Sequence, residues 1–366
     1  MSRVEWKKLG DVCGIFDGTH QTPRYTDAGI KFVSVENING LYLSNKYISE
    51  DDYNLNFKIK PQKDDVLMTR IGDVGSCAVI DRDEPLAYYV SLALLRPNNL
   101  YVLSGFIKHI LESRVGKKEL RKRTLLTAVP LKINLGDVGK VSIPVPALSE
   151  QNRIVRILDM FTASIENLKQ QIAERRKQYE YYRDQLLDLE GKEGVEMRKL
   201  GSFAEIGTGS SNTQDELESG KYPFFVRSQI VRWKNEYEFN ETAIITSGDG
   251  VGVGKVLHYY EGKYALHQRA YRIKVNVDDV IPKYLFYFMQ KDFYSYIMLN
   301  AYAASVTSVR KPMLVNYFIP LPPLDEQSRI VSILDIFEKS IQNLEAQLEL
   351  REKQYEFYRN KLLTFE

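Results

Sequence analysis

Residues 248–255 read GDGVGVGK, the run that comes nearest to a catalytic motif in this sequence. A loop that cradles phosphates needs glycine six positions before the lysine and Ser or Thr directly after it. Asp249 and Val256 occupy those two positions, so the run reads as a glycine-rich hairpin turn. Residues 321–324 read LPPL and lack the Asn or Asp and the aromatic with which amino-methyltransferases hold a flipped adenine. No glycine-rich loop after a strand suggests S-adenosylmethionine. The four histidines and two cysteines are scattered without metal spacing, and Asp83–Glu84 reads as surface charge. A self-contained nuclease or methyltransferase is therefore disfavoured. What remains is binding chemistry, in two polar, partly basic segments: RKRTLLTAVPLKINL at 121–135 and ASVTSVRKPML at 304–314.

Each segment lies just ahead of a stretch that occurs twice. IPVPALSEQNRIVRILDMF starts at Ile143 and returns, 176 positions on and without a gap, as IPLPPLDEQSRIVSILDIF at Ile319. A repeat of this size sets the architecture. Prolines (Pro144, Pro146; Pro320, Pro322, Pro323) forbid regular helix at the start of each copy, and Ser149 or Asp325 then offers an N-cap oxygen. No Gly or Pro follows as far as Glu190 or Glu366, and ~40 residues of helix make a rod of roughly 60 Å. Apolar positions recur in steps of four and three: Ile154, Leu158, Phe161, Ile165, Leu168, Ile172, Tyr179, Tyr182, Leu186 and Leu189. The second copy has Ile330, Leu334, Phe337, Ile341, Leu344, Leu348, Tyr355, Tyr358, Leu362 and Phe365. That is a coiled-coil seam, and two such helices in one chain most simply pair with each other. Arg175 and Arg351 interrupt it at equivalent places; they either snorkel to water or fix register and receive a partner's carboxylate. Near the start of each rod the apolar face widens (Val155, Ile157; Val331, Ile333, Ile336), which suits docking onto a globular domain or a partner.

The 366 residues allow two or three domains. A net charge of +2 announces no global polybasic character, although the parts outside the rods lean positive. Two cysteines, Cys13 and Cys77, give no disulfide framework and fit a reducing cytosol. The sequence MSRVEWKKLG has no apolar signal-peptide core, and no long apolar run suggests a membrane span.

VEWKKLGDV near the beginning has a counterpart, VEMRKLGSF, from Val195, so the unit ahead of each rod also repeats, with a diverged interior. Alternating or apolar runs place strands at 31–38, 65–71, 77–80 and 88–95, turns at 17–18 and 72–73, and a helix at 105–120. In the second unit strands are expected at 223–231, 242–246, 255–259 and 270–275, with a helix at 282–298. The fold class is α+β, a tandem pseudo-two-fold repeat. Its segments are domain (1–142), long helix (143–191), domain (192–318) and long helix (319–366).

The signature I-P-x-P-x-L-x-E-Q-x-x-I-V, twice, ahead of two heptad helices, resembles the specificity subunit of type I restriction-modification systems. Weaker support comes from DGTHQTPRY, IKFVSVENI and DDVLMTRIGDVG in the first unit and YPFFVRSQI and AIITSGDGVG in the second. The resemblance covers essentially the whole length. It implies that each domain is a target recognition domain reading one half of an asymmetric, bipartite site on double-stranded DNA. The rods would pair antiparallel as a spacer and dock modification (methyltransferase) subunits, two of them, with restriction/translocase subunits beyond. The chain would catalyse nothing and bind no cofactor of its own; S-adenosylmethionine, Mg and ATP would belong to the partners, in the cytoplasm and away from any membrane. A ~60 Å spacer would hold the readers roughly one to one-and-a-half DNA turns apart, at ~34–36 Å per turn.

On that reading, base edges fall to Arg, Lys, Asn and Gln and phosphates to Lys, Arg and small polar groups. In the first unit the candidates are His20, Gln21, Thr22, Arg24 and Tyr25, with Asn37 and Arg70, and Arg121, Lys122, Arg123 and Thr127 for the backbone. In the second they are Ser210, Ser211, Asn212, Arg227, Gln229, Ser247, Gln268 and Arg269, with Ser305, Thr307, Ser308, Arg310 and Lys311. The run 117–123 by itself also fits a solvated helix face. The competing reading is a coiled-coil scaffold whose two α+β units bind proteins; salt-dependent DNA binding separates the two.

Overall fold

The computed structural model describes residues 4–250, 252–301 and 308–365. The chain divides into two compact units, one made of residues 1–169 with 346–366 and the other of residues 170–345. The division falls inside the long helices, so the segments drawn from sequence regroup: each domain keeps the start of the helix that follows it and takes the end of the other.

In the first unit Glu5–Lys8 pairs antiparallel with Ser142–Val145, with Lys7 opposite Ile143. In the second, Glu196–Lys199 pairs with Phe318–Leu321 and Arg198 faces Ile319. The two repeated motifs, V-E-x-x-K-L-G and I-P-x-P, are thus strand partners. Their prolines are tolerated because a two-stranded ribbon leaves one edge of each strand free of a ladder.

Beyond its ribbon the first unit holds an antiparallel sheet in the order Cys13–Asp17, Leu92–Pro97, Val66–Thr69, Cys77–Val79. A three-stranded sheet has Ile30–Val33 between Tyr47–Ile48 and, in parallel, Leu86–Tyr88. The single strand expected at 88–95 is therefore two. The chain breaks at Val90–Ser91, where Arg70 takes both carbonyls, through its backbone N–H (2.9 Å to Ser91) and its Nη2 (2.6 Å to Val90). The helix expected at 105–120 is also two, Ser104–Glu112 and Arg114–Arg121. Ser113 ends the first and caps the second, its Oγ accepting from Gly116 N–H at 3.2 Å. Gly116 lies against the backbone of Ile110 and Leu111 too closely for any Cβ.

The second unit has one six-stranded sheet: Ala204–Thr208, Ala270–Val275, Phe239–Ser247, Leu257–Leu266, Tyr222–Phe225, Arg232–Lys234. All neighbours are antiparallel except Tyr222–Phe225 with Leu257–Leu266. The glycine run 248–255 connects two antiparallel neighbours, as a hairpin turn should. Helix Pro282–Ala301 packs Tyr284, Tyr287 and Phe293 into the core.

The rods are continuous helices of 39 residues each, Leu148–Leu186 and Leu324–Leu362. They begin one residue before Ser149 and Asp325, which therefore lie in the first turn and are not caps; the carbonyls of Ala147 and Pro323 take the first helical N–H bonds. Ile154 and Leu158 are fully buried in the first unit's core with Leu363. Ile330 and Leu334 are equally buried in the second, beside Leu187 and Leu189, which follow the first helix's last turn. Of the widened face, Val155 and Val331 pack against the core of the adjoining domain, whereas Ile157 and Ile333 are half-buried and Ile336 is 70% exposed.

A buried glutamine fastens each helix to its domain. Gln151 donates Nε2–H to the carbonyls of Tyr101 (2.9 Å) and Pro146 (2.8 Å) and accepts from Leu103 N–H (3.0 Å). Gln327 repeats this with Asp279 (3.0 Å), Pro322 (2.9 Å) and Ile281 N–H (2.9 Å). Two turns on, Asp159 meets the buried His109 at 2.8 Å, while its repeat counterpart Asp335 accepts from Tyr287 OH at 2.6 Å.

Within each unit the helices run antiparallel. In the first, Phe161 stacks on Tyr358 (5.3 Å) with Arg351 over its ring (5.7 Å). In the second, Phe337 stacks on Tyr182 (5.4 Å) with Arg175 over its ring (5.9 Å). The interrupting arginines thus lie over the seam's phenylalanines, a contact that offsets their partial desolvation. Ile165, Leu168 and Ile172 are buried, and Tyr179, Leu186, Ile341, Leu344, Leu348, Tyr355 and Leu362 are half-buried. Tyr182 and Tyr358 lie at the seam's wet edge. The expected seam residues Leu189 and Phe365 follow the helix ends; both pack against domain cores.

Candidate nucleic-acid interface

In the first unit three loops, 18–25, 89–91 and 122–134, meet around one buried arginine, Arg70. Gly18 lies against the backbone of Tyr88 and Tyr89, closer than a Cβ allows, and Thr19 exchanges backbone bonds with Tyr88 and Val90. This pins the start of the 18–25 loop. Asp17 stands between His20 (3.0 Å) and Arg70 (2.7 Å), and its carbonyl accepts from Tyr88 OH (2.8 Å). Arg70 is only 7% exposed; burial lowers its pKa, and the Asp17 carboxylate partly restores it. The third loop is tied to the same strand end. Gly72 N–H donates to Leu131 (2.8 Å), Ile133 N–H to Arg70 (2.9 Å), and Leu125 N–H to Lys132 (2.8 Å).

His20, Gln21, Thr22, Arg24 and Tyr25 all face solvent on the first loop, Tyr25 edge-on to Phe32 at 5.7 Å. Arg121, at the end of the helix Arg114–Arg121, is exposed; on the third loop Lys122 and Thr127 are exposed and Arg123 is half-buried. Arg70 stops at Asp17, so it positions that carboxylate and reaches no solvent-borne ligand. Asn37 is half-buried and uses Oδ1 on Ser34 N–H (3.1 Å), closing a local turn.

The second unit repeats the device with different residues. Asp249 accepts from Arg227 (2.8 Å) and Arg269 (3.2 Å). Burial, the largest single influence, pushes its carboxyl up, but the two guanidiniums together outweigh that and hold it below the usual range. A carboxylate with a folded-state pKa lowered in this way contributes stability above its unfolded value, about 4, and loses it only as pH falls through the folded one. The brace is therefore intact at neutral pH. Ser247 is fully buried and donates Oγ–H to the Asp249 carbonyl (2.7 Å), and Val309 N–H donates to Gly248 (2.8 Å). His267 accepts at Nδ1 from Arg269 N–H (3.0 Å), leaving Nε2 for Thr213 Oγ1 (3.2 Å). Burial, then the Arg227 charge, lowers its pKa, which keeps that acceptor free of a proton.

Arg227, Gln229, Gln268, Arg269, Arg310 and Lys311 are exposed, and Ser308 is half-buried in a bridge to Asp249. Ser210 and the buried Ser211 are taken up by Glu238, with Lys234 Nζ donating to Ser211 Oγ at 2.7 Å. Asn212 caps the turn Thr213–Asp215. Ser305 and Thr307 lie outside the described residues. Sequence reasoning missed Asp17, Asp249, Glu238 and His267. A DG dipeptide reads as a turn, and nothing local says that its carboxylate braces an arginine 53 positions away. Among the described residues no group of His, Cys, Asp and Glu could hold a metal ion, and no helix is long and apolar enough to cross a membrane.

Two differently built polar faces thus stand on a duplicated frame. The chain belongs to the family described as the type I restriction modification DNA specificity domain, whose sequence model matches residues 1–175 and 192–350. It is 33% identical over 266 residues to a type I restriction enzyme specificity subunit of Escherichia coli, covering 62% of this chain and 63% of that one. A putative type I restriction enzyme specificity subunit of Haemophilus influenzae is 29% identical, over 64% of this chain and 66% of its own. The matched stretches thus span just under two thirds of these relatives. In fold, the chain resembles the S subunit of a type I restriction-modification system from M. genitalium, with a TM-score of 0.71 at 14% identity over 100% of this chain and 98% of that one. A chain from a structure on complex assembly and conformational transition of the type I R-M system gives 0.60 at 18%, over 99% and 98%.

Proposed function

We propose that this chain is the DNA-reading subunit of a type I restriction-modification complex, each unit reading one half of an asymmetric, bipartite duplex site. The observation that carries this is the pairing of an unchanged frame with two unlike faces. Both units have the same ribbon, glutamine tether and aromatic seam. One presents a His20–Arg70 brace and the other an Arg227–Arg269 brace. Like frames with unlike readers are what an asymmetric target requires.

The long helices set the distance between half-sites and carry two methyltransferase subunits. Met160 and Ile336 are repeat counterparts, 71% and 70% exposed, and so are Tyr181 and Phe357, 62% and 60% exposed. Each unit therefore offers one aliphatic and one aromatic side chain of the same kind, which suits two copies of one partner. Restriction/translocase subunits join through that assembly. S-adenosylmethionine, Mg and ATP belong to the partners, and this chain supplies recognition in the cytoplasm without catalysis.

Methylation mapping after co-expression with the neighbouring methyltransferase subunit tests the reading. The expected result is one motif with two unlike halves and a fixed gap. An intact complex that adds no methylation favours the protein-binding scaffold.

The braces make a narrower prediction. Asp249→Asn removes a negative charge from between two arginines aimed at a polyanion. Affinity for unrelated duplex should rise, with the log–log salt slope steeper by about one. Discrimination at the half-site read by the second unit should fall by about tenfold as the arginines lose their aim. Titrating affinity against salt for cognate and scrambled duplexes measures both. An unchanged slope would remove Arg227 and Arg269 from the interface.

A further inference from the structure

The third loop of the first unit ends in a feature that phosphate contact does not need. Within seven residues it exposes Leu125 (40%), Leu126 (55%), Val129 (98%) and Leu131 (41%). Single surface leucines are ordinary, but four exposed apolar side chains within one short loop are not. The loop is held firmly at its base: Thr124 Oγ1–H donates to the Leu120 carbonyl (2.9 Å), and backbone bonds tie Leu125 to Lys132 and Leu131 to Gly72. Those bonds fix the tip beside the strand end of Arg70, hence on the face of the Asp17–His20 brace. Exposed cations flank it in the chain, Arg121 and Lys122 before and Lys132 after.

We infer that Leu126 and Val129 form an apolar wedge that enters the duplex and partly unstacks one base step of the half-site read by the first unit. The inference rests on the proposed DNA-reading role and adds to it a residue-level means of specificity. An apolar tip between cations is the arrangement by which proteins anchor to phosphates and insert a side chain between bases. The energy of opening a step depends on which step it is, pyrimidine–purine steps yielding most easily. The wedge thus selects sequence at a position that no hydrogen-bonding side chain reads. A protein partner would also accept leucine and valine, but the cations on both sides and the shared face with the 18–25 loop favour DNA.

The test uses the chain in complex with its methyltransferase subunits and duplexes carrying the mapped motif. 2-Aminopurine is placed in turn at each position of the first unit's half-site other than the methylated base. Wild type should raise the fluorescence several-fold at one step. Leu126→Ser with Val129→Ser should abolish that rise and weaken binding by about tenfold or more, with the salt slope unchanged because no charge is altered. Leu126→Met with Val129→Ile should keep the signal, showing that apolarity and not fold is being read. A serine variant that retains signal and affinity overturns the wedge and leaves the DNA-reading role standing. So does one that binds DNA normally but no longer co-purifies with the methyltransferase subunit, which would make the tip a protein contact. Failure of wild type to bind the mapped duplex would take down both.

Discussion

Gln327→Leu should lower the melting temperature of the second unit by about 6–12 °C. The side chain is 1% exposed and makes three hydrogen bonds, to Asp279, Pro322 and Ile281. Leucine fills much the same volume, so no cavity contributes; what is lost is the pairing of one N–H and two carbonyls in a water-poor position. Each buried group left without a partner costs roughly 1–3 kcal/mol, so about 3 kcal/mol in all is a conservative sum. A body of this size loses about 2–4 °C per kcal/mol. Gln151→Leu should do the same to the first unit, since its three partners are equivalent. Calorimetry on the single variants and the pair checks both values. A fall of less than about 2 °C in either would mean that the tether is redundant with the core contacts of Ile330 or Ile154.

Exchanging residues 200–317 for the corresponding domain of another reader should rewrite one half of the recognised site and leave the other half and the gap untouched. The junctions fall outside the ribbon in which Glu196–Lys199 pairs with Phe318–Leu321, and the long helices are untouched. The new domain therefore arrives on the old frame. For a half-site of about three base pairs, mismatch at every position costs roughly 3–9 kcal/mol, so methylation of the original site should disappear. Mapping the motif before and after the exchange reads the result. A change in both halves would contradict modular reading, and no change would assign recognition to the first unit alone.

Much of the frame was legible in the sequence because it is written twice. The repeat gave the long helices and the seam; that Arg175 and Arg351 lie over Phe337 and Phe161 was not legible, because those rings come from the other helix. The faces were harder to read. Solvent-exposed candidates such as Gln21, Arg24 and Gln268 follow from residue type. Type alone cannot separate them from Arg70, Ser211 and Ser247, which have the same chemistry but are consumed inside the fold. The braces join residues brought together only by the sheets, Asp17 with Arg70 and Asp249 with Arg227 and Arg269. The glutamines were visible in both copies of the E-Q pair, yet two of the three backbone partners of each come from the domain ahead, beyond any helical pattern, and only Pro146 or Pro322 lies in the repeated motif itself. Strand 88–95 was misjudged for the same reason, since a side chain from elsewhere interrupts it.

The exchange of helix ends between units bears on the order in which the protein is made. Residues 1–169 leave the ribosome first, but the first unit also needs residues 346–366, which bring Leu363 to its core and Tyr358 to Phe161. At roughly 5–20 residues per second these follow on the order of ten to thirty-five seconds later. Through that interval Phe161 lacks Tyr358 and the core around Leu158 lacks Leu363, and the second unit, needing only residues 170–345, can close before the first. The unit synthesised first is the last to be completed.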